Sequence, residues 1–128
     1  MAVAVDDSAG TARVISNDVT SISISTPRGV QDITGLDKSG IERLLLLSDG
    51  TVSISGVYNT AALTGSHTVL KTISSNSALR TVTLTPTGGS ALAMEMVGVS
   101  YDLARAQSGE LTFTAEFQLA DGAAPTWS

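Results

Sequence analysis

Three stretches of this chain alternate between apolar and polar residues: Thr20-Ser21-Ile22-Ser23-Ile24-Ser25, Thr51-Val52-Ser53-Ile54-Ser55-Gly56 and Thr81-Val82-Thr83-Leu84-Thr85. A period of two fits a strand, whose successive side chains point to opposite faces, and does not fit a helix. In each stretch one face is Ile, Val or Leu and the other bears hydroxyls. The β-branched residues favour the pleated backbone. A fourth stretch is longer. Leu111, Phe113, Ala115, Phe117 and Leu119 share one face, and Thr112, Thr114, Glu116 and Gln118 share the other. Such strands suit an antiparallel sheet with one side on a core.

Breaks in the pattern place the turns. Pro27 and Gly29 end the first strand, and Asp121-Gly122 ends the last. Gly88-Gly89 reads as a hairpin turn, because paired glycines tolerate the positive φ that such turns need. The return strand starts at Ala91. Its apolar positions are first even (Leu92, Met94, Met96), then odd (Val97, Val99, Tyr101, Leu103). A one-residue change of register predicts a bulge or bend near Gly98. Met94 and Met96 are expected to fill the core, with an adaptable subunit contact as the other reading.

Two segments have helical spacing. Asp37 to Leu46 has an apolar stripe at Ile41, Leu44 and Leu45, weakened by Gly40, and is read as either a short helix or an extended turn. Ser66 to Ile73 starts with a serine suited to an N-cap and places Val69, Leu70 and Ile73 on one face. At least six strands, one or two short helices and no βαβ rhythm predict an all-β protein. The expected architecture is an antiparallel β-sandwich or barrel with a helix on its flank. One domain is expected over 1–128, with 1–17 a flexible N-terminal arm and 121–128 a C-terminal tail. Trp127, the one tryptophan, is expected to dock on its own domain or on a neighbour.

Composition narrows the function. With no cysteine, disulfides and thiolate metal sites are excluded. A net charge of −5 and scattered Lys and Arg argue against a phosphate-neutralising surface and against an anionic membrane as partner. No apolar run approaches the roughly 20 residues of a membrane span, and the start lacks a basic lead, so a soluble chain without a targeting segment is expected. Charged residues make up 15%, against about 25% in ordinary domains. The resulting weakly polar surface suits contact with copies of itself.

Catalytic signatures are missing from the sequence. His67 is the single histidine, and no nucleophile elbow accompanies it. Its position in the first turn of a predicted helix reads as structural. No pair of histidines is available for zinc, and Asp6-Asp7 lacks calcium-loop spacing and reads as a solvated charge pair. The glycines spell no phosphate loop. No enzyme activity, metal or cofactor is expected.

Several segments, in their order and spacing, resemble the major tail tube proteins of siphophages. They are Asp18-Val19-Thr20-Ser21-Ile22 leading to Pro27-Arg28, then Asp32-Ile33-Thr34-Gly35-Leu36-Asp37 and Glu42-Arg43-Leu44. Asp49 to Asn59 and Ser66-His67-Thr68-Val69-Leu70 follow. The last part runs from Tyr101-Asp102-Leu103 through Gly109-Glu110-Leu111 to Asp121-Gly122 and Pro125-Thr126-Trp127. The likeness covers nearly all of the chain from Asp18 onward.

The resemblance implies a structural virion protein. Its copies would form rings, usually hexameric, that stack into the hollow tail tube through which DNA is ejected. Partners would be the chain itself and other tail proteins (tape measure, terminator, distal tail). DNA would pass through without specific binding, and no membrane would be bound. The location would be the virion tail, assembled in the host bacterial cytoplasm. Six copies at −5 each would carry −30 per ring. That charge acts over about 8 Å at physiological salt, close to the wall. Glu95, Asp102 and Glu116 are the lumen candidates. Ala91 to Leu103 with Leu79 to Thr85 is the candidate lumen-lining pair. Asn59, Leu63 and Trp127 are the candidates for contacts between subunits or rings. Competing readings are another tail component of the same fold, such as a terminator or distal hub, and a capsid-decorating or carbohydrate-binding β-sandwich. The few aromatics weigh against the carbohydrate reading.

Overall fold

The computed structural model describes residues 2–60, 65–120, 122–123 and 125–127. In chain order the strands are β1 (Ala2–Asp6), β2 (Ala12–Val14), β3 (Val19–Ser25), β4 (Arg28–Asp32), β5 (Arg43–Ser48) and β6 (Thr51–Val57). Helix α1 (Ser66–Leu70) follows, then β7 (Arg80–Thr85), β8 (Leu92–Arg105), β9 (Leu111–Leu119) and β10 (Thr126–Trp127). The expected all-β antiparallel fold with a helix against the sheet is what the chain adopts. The four alternating stretches are β3, β6, β7 and β9.

One sheet runs in the order β2-β1-β7-β8-β9-β6-β3. Its two edge strands, β2 and β3, are joined by only Ile15 and a 3-10 turn, Ser16–Asp18. Four residues span at most about 14 Å. The edges therefore come together at that end, and the sheet is rolled like a barrel around its inner face. Register aligns the apolar rows across it. Val5 faces Val82, and Val82 faces Met94. Phe117 faces Val52, which faces Ile24. With Ile15 and with Val69, Leu70 and Ile73 from α1 and the turn after it, these rows form the single core. Met94 and Met96 are buried there, so they fill the core and are not available as subunit contacts.

The long strand β8 changes register between Gly98 and Ser100, where the parity change of its apolar residues predicted a bulge. Gly98 is required there: a Cβ on it would lie 2.9 Å from Cγ2 of Ile73. Gly88 and Gly89 both have positive φ in the β7–β8 connection.

Three expectations are corrected. Residues 1–17 do not form a flexible arm across their described part: β1 and β2 are built into the sheet, because Val3 and Val5 supply an inward face that pairs with β7. Asp7 is not a merely solvated charge. Its Oδ1 accepts from the backbone N–H of Ala9 and Thr11, and its Oδ2 accepts from Arg13 Nε, which shapes the β1–β2 turn. The segment Asp37 to Leu46 is not a helix: Arg43–Ser48 is β5, paired with β4 in a separate two-stranded ribbon. Four consecutive leucines form no single helical stripe, and they satisfy their backbone in a ladder with Arg28–Asp32.

In α1 the N-cap is Gly65, and Ser66 is the first helical residue. The Ser66 hydroxyl donates to the Val57 carbonyl at 2.8 Å and does not cap the helix.

Candidate functional surface

Alternation along the strands builds two unlike faces. The inner face is apolar; the outer face is polar and weakly charged. Register places the outward residues in rows. Asp102 lies beside Thr114, which lies beside Ser55 and then Ser21. Ser100, Glu116, Ser53 and Ser23 form the next row. On the other side of the β8 bulge, Thr81 faces Glu95, and Thr83 faces Ala93. The three lumen candidates Glu95, Asp102 and Glu116 thus share one face, a relation the register shift at Gly98 makes invisible to simple parity. Among the described residues, the outward positions of β1, β3, β6, β7, β8 and β9 hold Ser, Thr, Ala, Val, Gln, Asp and Glu, and no Lys or Arg. Glu95 Oε2 accepts a hydrogen bond from the Thr81 hydroxyl at 2.9 Å, which ties the proposed lumen-lining strands β7 and β8 together on this face.

The contact candidates have different fates. Asn59 is half-buried; its Nδ2 donates to Asp18 Oδ1 at 3.0 Å, and its carbonyl accepts from the His67 N–H. Those bonds hold it inside the subunit. Leu63 lies outside the described residues. Trp127 pairs its backbone with Leu92 in β10, which continues along β8 beyond the end of β9. Its side chain is 51% exposed.

His67, read from the sequence as structural, packs among aromatic neighbours. Its ring lies 4.7 Å from that of Tyr58 and 5.9 Å from that of Tyr101, and Nδ1 is 3.0 Å from the Tyr101 hydroxyl. Burial, and the neighbouring Tyr58, push the Tyr101 phenol up to about 12. The neighbouring Ser66 hydroxyl is engaged with a backbone carbonyl. No group of three or more Asp, Glu, His or Cys among the described residues is placed to hold a metal ion.

Sequence reasoning missed two features. The first is Arg80, 1% exposed in the core. Its guanidinium donates to the carbonyls of Asp6 and Val69 and to the Thr72 hydroxyl at 2.7–3.1 Å, clamping β1, β7 and the end of α1. Burial lowers its pKa, opposed by the charges of Asp7 and Asp6. Its position directly before the alternation of β7, with inward parity, was the available signal. The second is the β4–β5 ribbon. It projects from the body and exposes Val30, Ile33, Leu36, Ile41 and Leu44 through Leu47. Thr34 clasps its tip: the hydroxyl accepts from the Glu42 N–H at 2.7 Å and donates to Asp32. A largely apolar groove lies beside the ribbon, lined by Arg28, Gly29, Leu45, Leu46, Leu47, Ser48 and Gly122.

No protein-family model matches this chain, and no curated protein does. Solved structures do. A chain from the tail of an empty gene transfer agent particle, obtained by helical refinement with C6 symmetry, superposes with a TM-score of 0.74 at 19% identity, covering 100% of this chain and 95% of that one. A chain from the virion of a native gene transfer agent particle gives 0.70 at 20% identity, covering 98% and 95%. A chain from the six-fold symmetrised baseplate of the anti-feeding prophage gives 0.61 at 10% identity, covering 99% and 91%. At these identities the likeness is one of fold.

Proposed function

We propose that this chain is the repeating subunit of a phage-type tail tube, in which copies close into rings of six that stack into a conduit for DNA. The observation that carries this reading is the outer sheet face. It offers hydroxyls, small apolar groups and the carboxylates of Glu95, Asp102 and Glu116, and among the described residues no Lys or Arg at the outward positions of β1, β3, β6, β7, β8 and β9. A moving polyanion would be held back by each Lys or Arg it met, since phosphate contacts with cations dominate nucleic-acid affinity. Carboxylates repel phosphates at short range, and hydroxyls exchange one hydrogen-bond partner for water at small net cost. Such a wall keeps DNA hydrated and sliding. The shared fold with a chain from a C6-symmetric particle tail supports the ring symmetry. In this reading the protein resides in the virion tail, is assembled in the host cytoplasm and meets the tape measure, terminator and distal tail proteins.

A second reading, a distal hub or terminator of the same fold, is favoured by the likeness to a baseplate chain. Negative-stain electron microscopy of the concentrated protein separates them. Long hollow tubes of uniform width are the expected result. Single closed rings that never extend would replace the tube subunit by the hub or terminator. Monomers that fail to extend added tail-tip seeds would move the protein to the binding-module class.

A further inference from the structure

The apolar run Leu44 to Leu47 lies in a strand, so its side chains leave the ribbon on two faces, with a bulge at Leu46 and Leu47 interrupting the alternation. Leu44 faces Gln31, and Leu45 faces Val30. Leu44 on one face is 50% exposed, and Leu45 and Val30 on the other are 55% and 50% exposed; Leu46 and Leu47, which together stand opposite Gly29 in a bulge, are 43% and 91% exposed. Strands with continuous apolar runs are those buried on both sides. Among the described residues β4 and β5 pair only with each other, and both faces keep large apolar side chains half exposed or more open. A two-stranded hairpin of this kind is marginal in water without a partner.

The exposed area points to a macromolecular occupant. The eight large apolar side chains of the ribbon and its tip leave on the order of 500 Å² or more uncovered, at the upper end of the largest patch on an ordinary monomer, about 300–600 Å². It is a large part of the roughly 800 Å² that one partner brings to a standard interface. The body of the same chain exposes further large apolar side chains at Val57, Leu79, Val99, Leu103 and Trp127. The chain therefore carries both an apolar ribbon and further exposed apolar side chains on its body.

We propose that the β4–β5 ribbon is a two-faced insert, clasped between two different neighbouring copies of this chain. This rests on the self-assembly reading above and adds to it that each subunit uses one ribbon to join two others. A single flat partner covers one face; two partners are needed to bury Leu44 together with Leu45 and Val30. The geometry makes assembly cooperative, because a ribbon gains its full burial only when both neighbours are in place.

The test uses the absence of native cysteine. Single variants Leu44→Cys and Leu45→Cys report on opposite faces through their rate of maleimide labelling, measured on disassembled subunits and on assembled particles. Gln31→Cys and Val30→Cys, their partners across the ladder, repeat the comparison should either first variant fail to fold. The expected result is that labelling slows at least tenfold on assembly at both faces. Slowing at one face only, in particles that do assemble, overturns the two-faced insert and leaves self-assembly standing. Unchanged labelling at both faces in assembled particles also overturns it. Wild-type protein that never assembles, alone or on tail-tip seeds, removes the self-assembly reading and this inference with it.

Discussion

The Asp18 carboxylate accepts the backbone N–H of Ser66 through Oδ2 at 2.9 Å and the Asn59 side-chain amide through Oδ1 at 3.0 Å. Asp18 ends the turn that starts β3, and Ser66 starts α1. One buried carboxylate thus fixes where the helix enters the barrel. Asp18→Ala strands a fully buried N–H and an amide. It is expected to lower stability by about 1–3 kcal/mol in urea unfolding, with Asp18→Asn costing less because one acceptor oxygen remains.

Close backbone approach makes Gly98 and Gly56 sensitive. Gly98→Ala drives a Cβ into Ile73, and Gly56→Ala drives one into the Asp18 carbonyl. The Gly98 substitution should cost about 1–3 kcal/mol of overpacking, and Ile73→Val should recover part of it in a double-mutant cycle. At Gly56 the clash is with backbone, which has less freedom to shift, so the loss should be larger. Gly40, with nothing within 4 Å, serves as the tolerant control. Thermal melts of the three glycine variants check the order.

Alkaline pH should unfold the protein through Tyr101. Its folded pKa is raised from 10.0 to about 12 by burial and by Tyr58. The unfolded chain then releases the phenol proton before the folded one does. Stability is complete below pH 10 and falls as pH rises from there through about 12. Tyr101→Phe should flatten that slope, read from unfolding midpoints across the alkaline range.

Charge reversal tests the proposed lumen. Glu116→Lys, alone and with Glu95→Lys, places cations on the outer sheet face. Particles carrying them should assemble normally and release DNA several-fold more slowly, with the delay relieved by salt. Unchanged release would show that this face does not line the channel.

Trp127 separates assembly from folding. Its ring is half exposed while its backbone pairs with β8. Trp127→Ala should reduce tube formation in sedimentation while the unfolding midpoint of the isolated subunit changes little. Tubes that form with unchanged stability would remove Trp127 from the inter-subunit surface.

Much of the barrel was legible in the chain. Each alternating stretch became a strand, since a period of two with β-branched residues serves no other regular structure. The parity change along β8 gave the bulge at Gly98, because a one-residue slip must move every later side chain to the other face. The Leu44 to Leu47 run was ambiguous, since a short continuous apolar run fits a helix or a strand equally well. Its partner strand Arg28–Asp32 has too little pattern to reveal the pairing.

By itself, then, the sequence determined the strands β3, β6, β7 and β9, the apolar and hydroxyl faces and the place of the bend. These depend on local spacing and on the geometry of the pleat. Only the tertiary structure decided that β1 and β2 join the barrel, that Arg80 is buried on carbonyls, that Glu95, Asp102 and Glu116 share a face, and that the leucine run projects uncovered. Those outcomes depend on which distant segments pair, and pairing is set by burial and backbone hydrogen bonds summed over the whole sheet, which no local window contains.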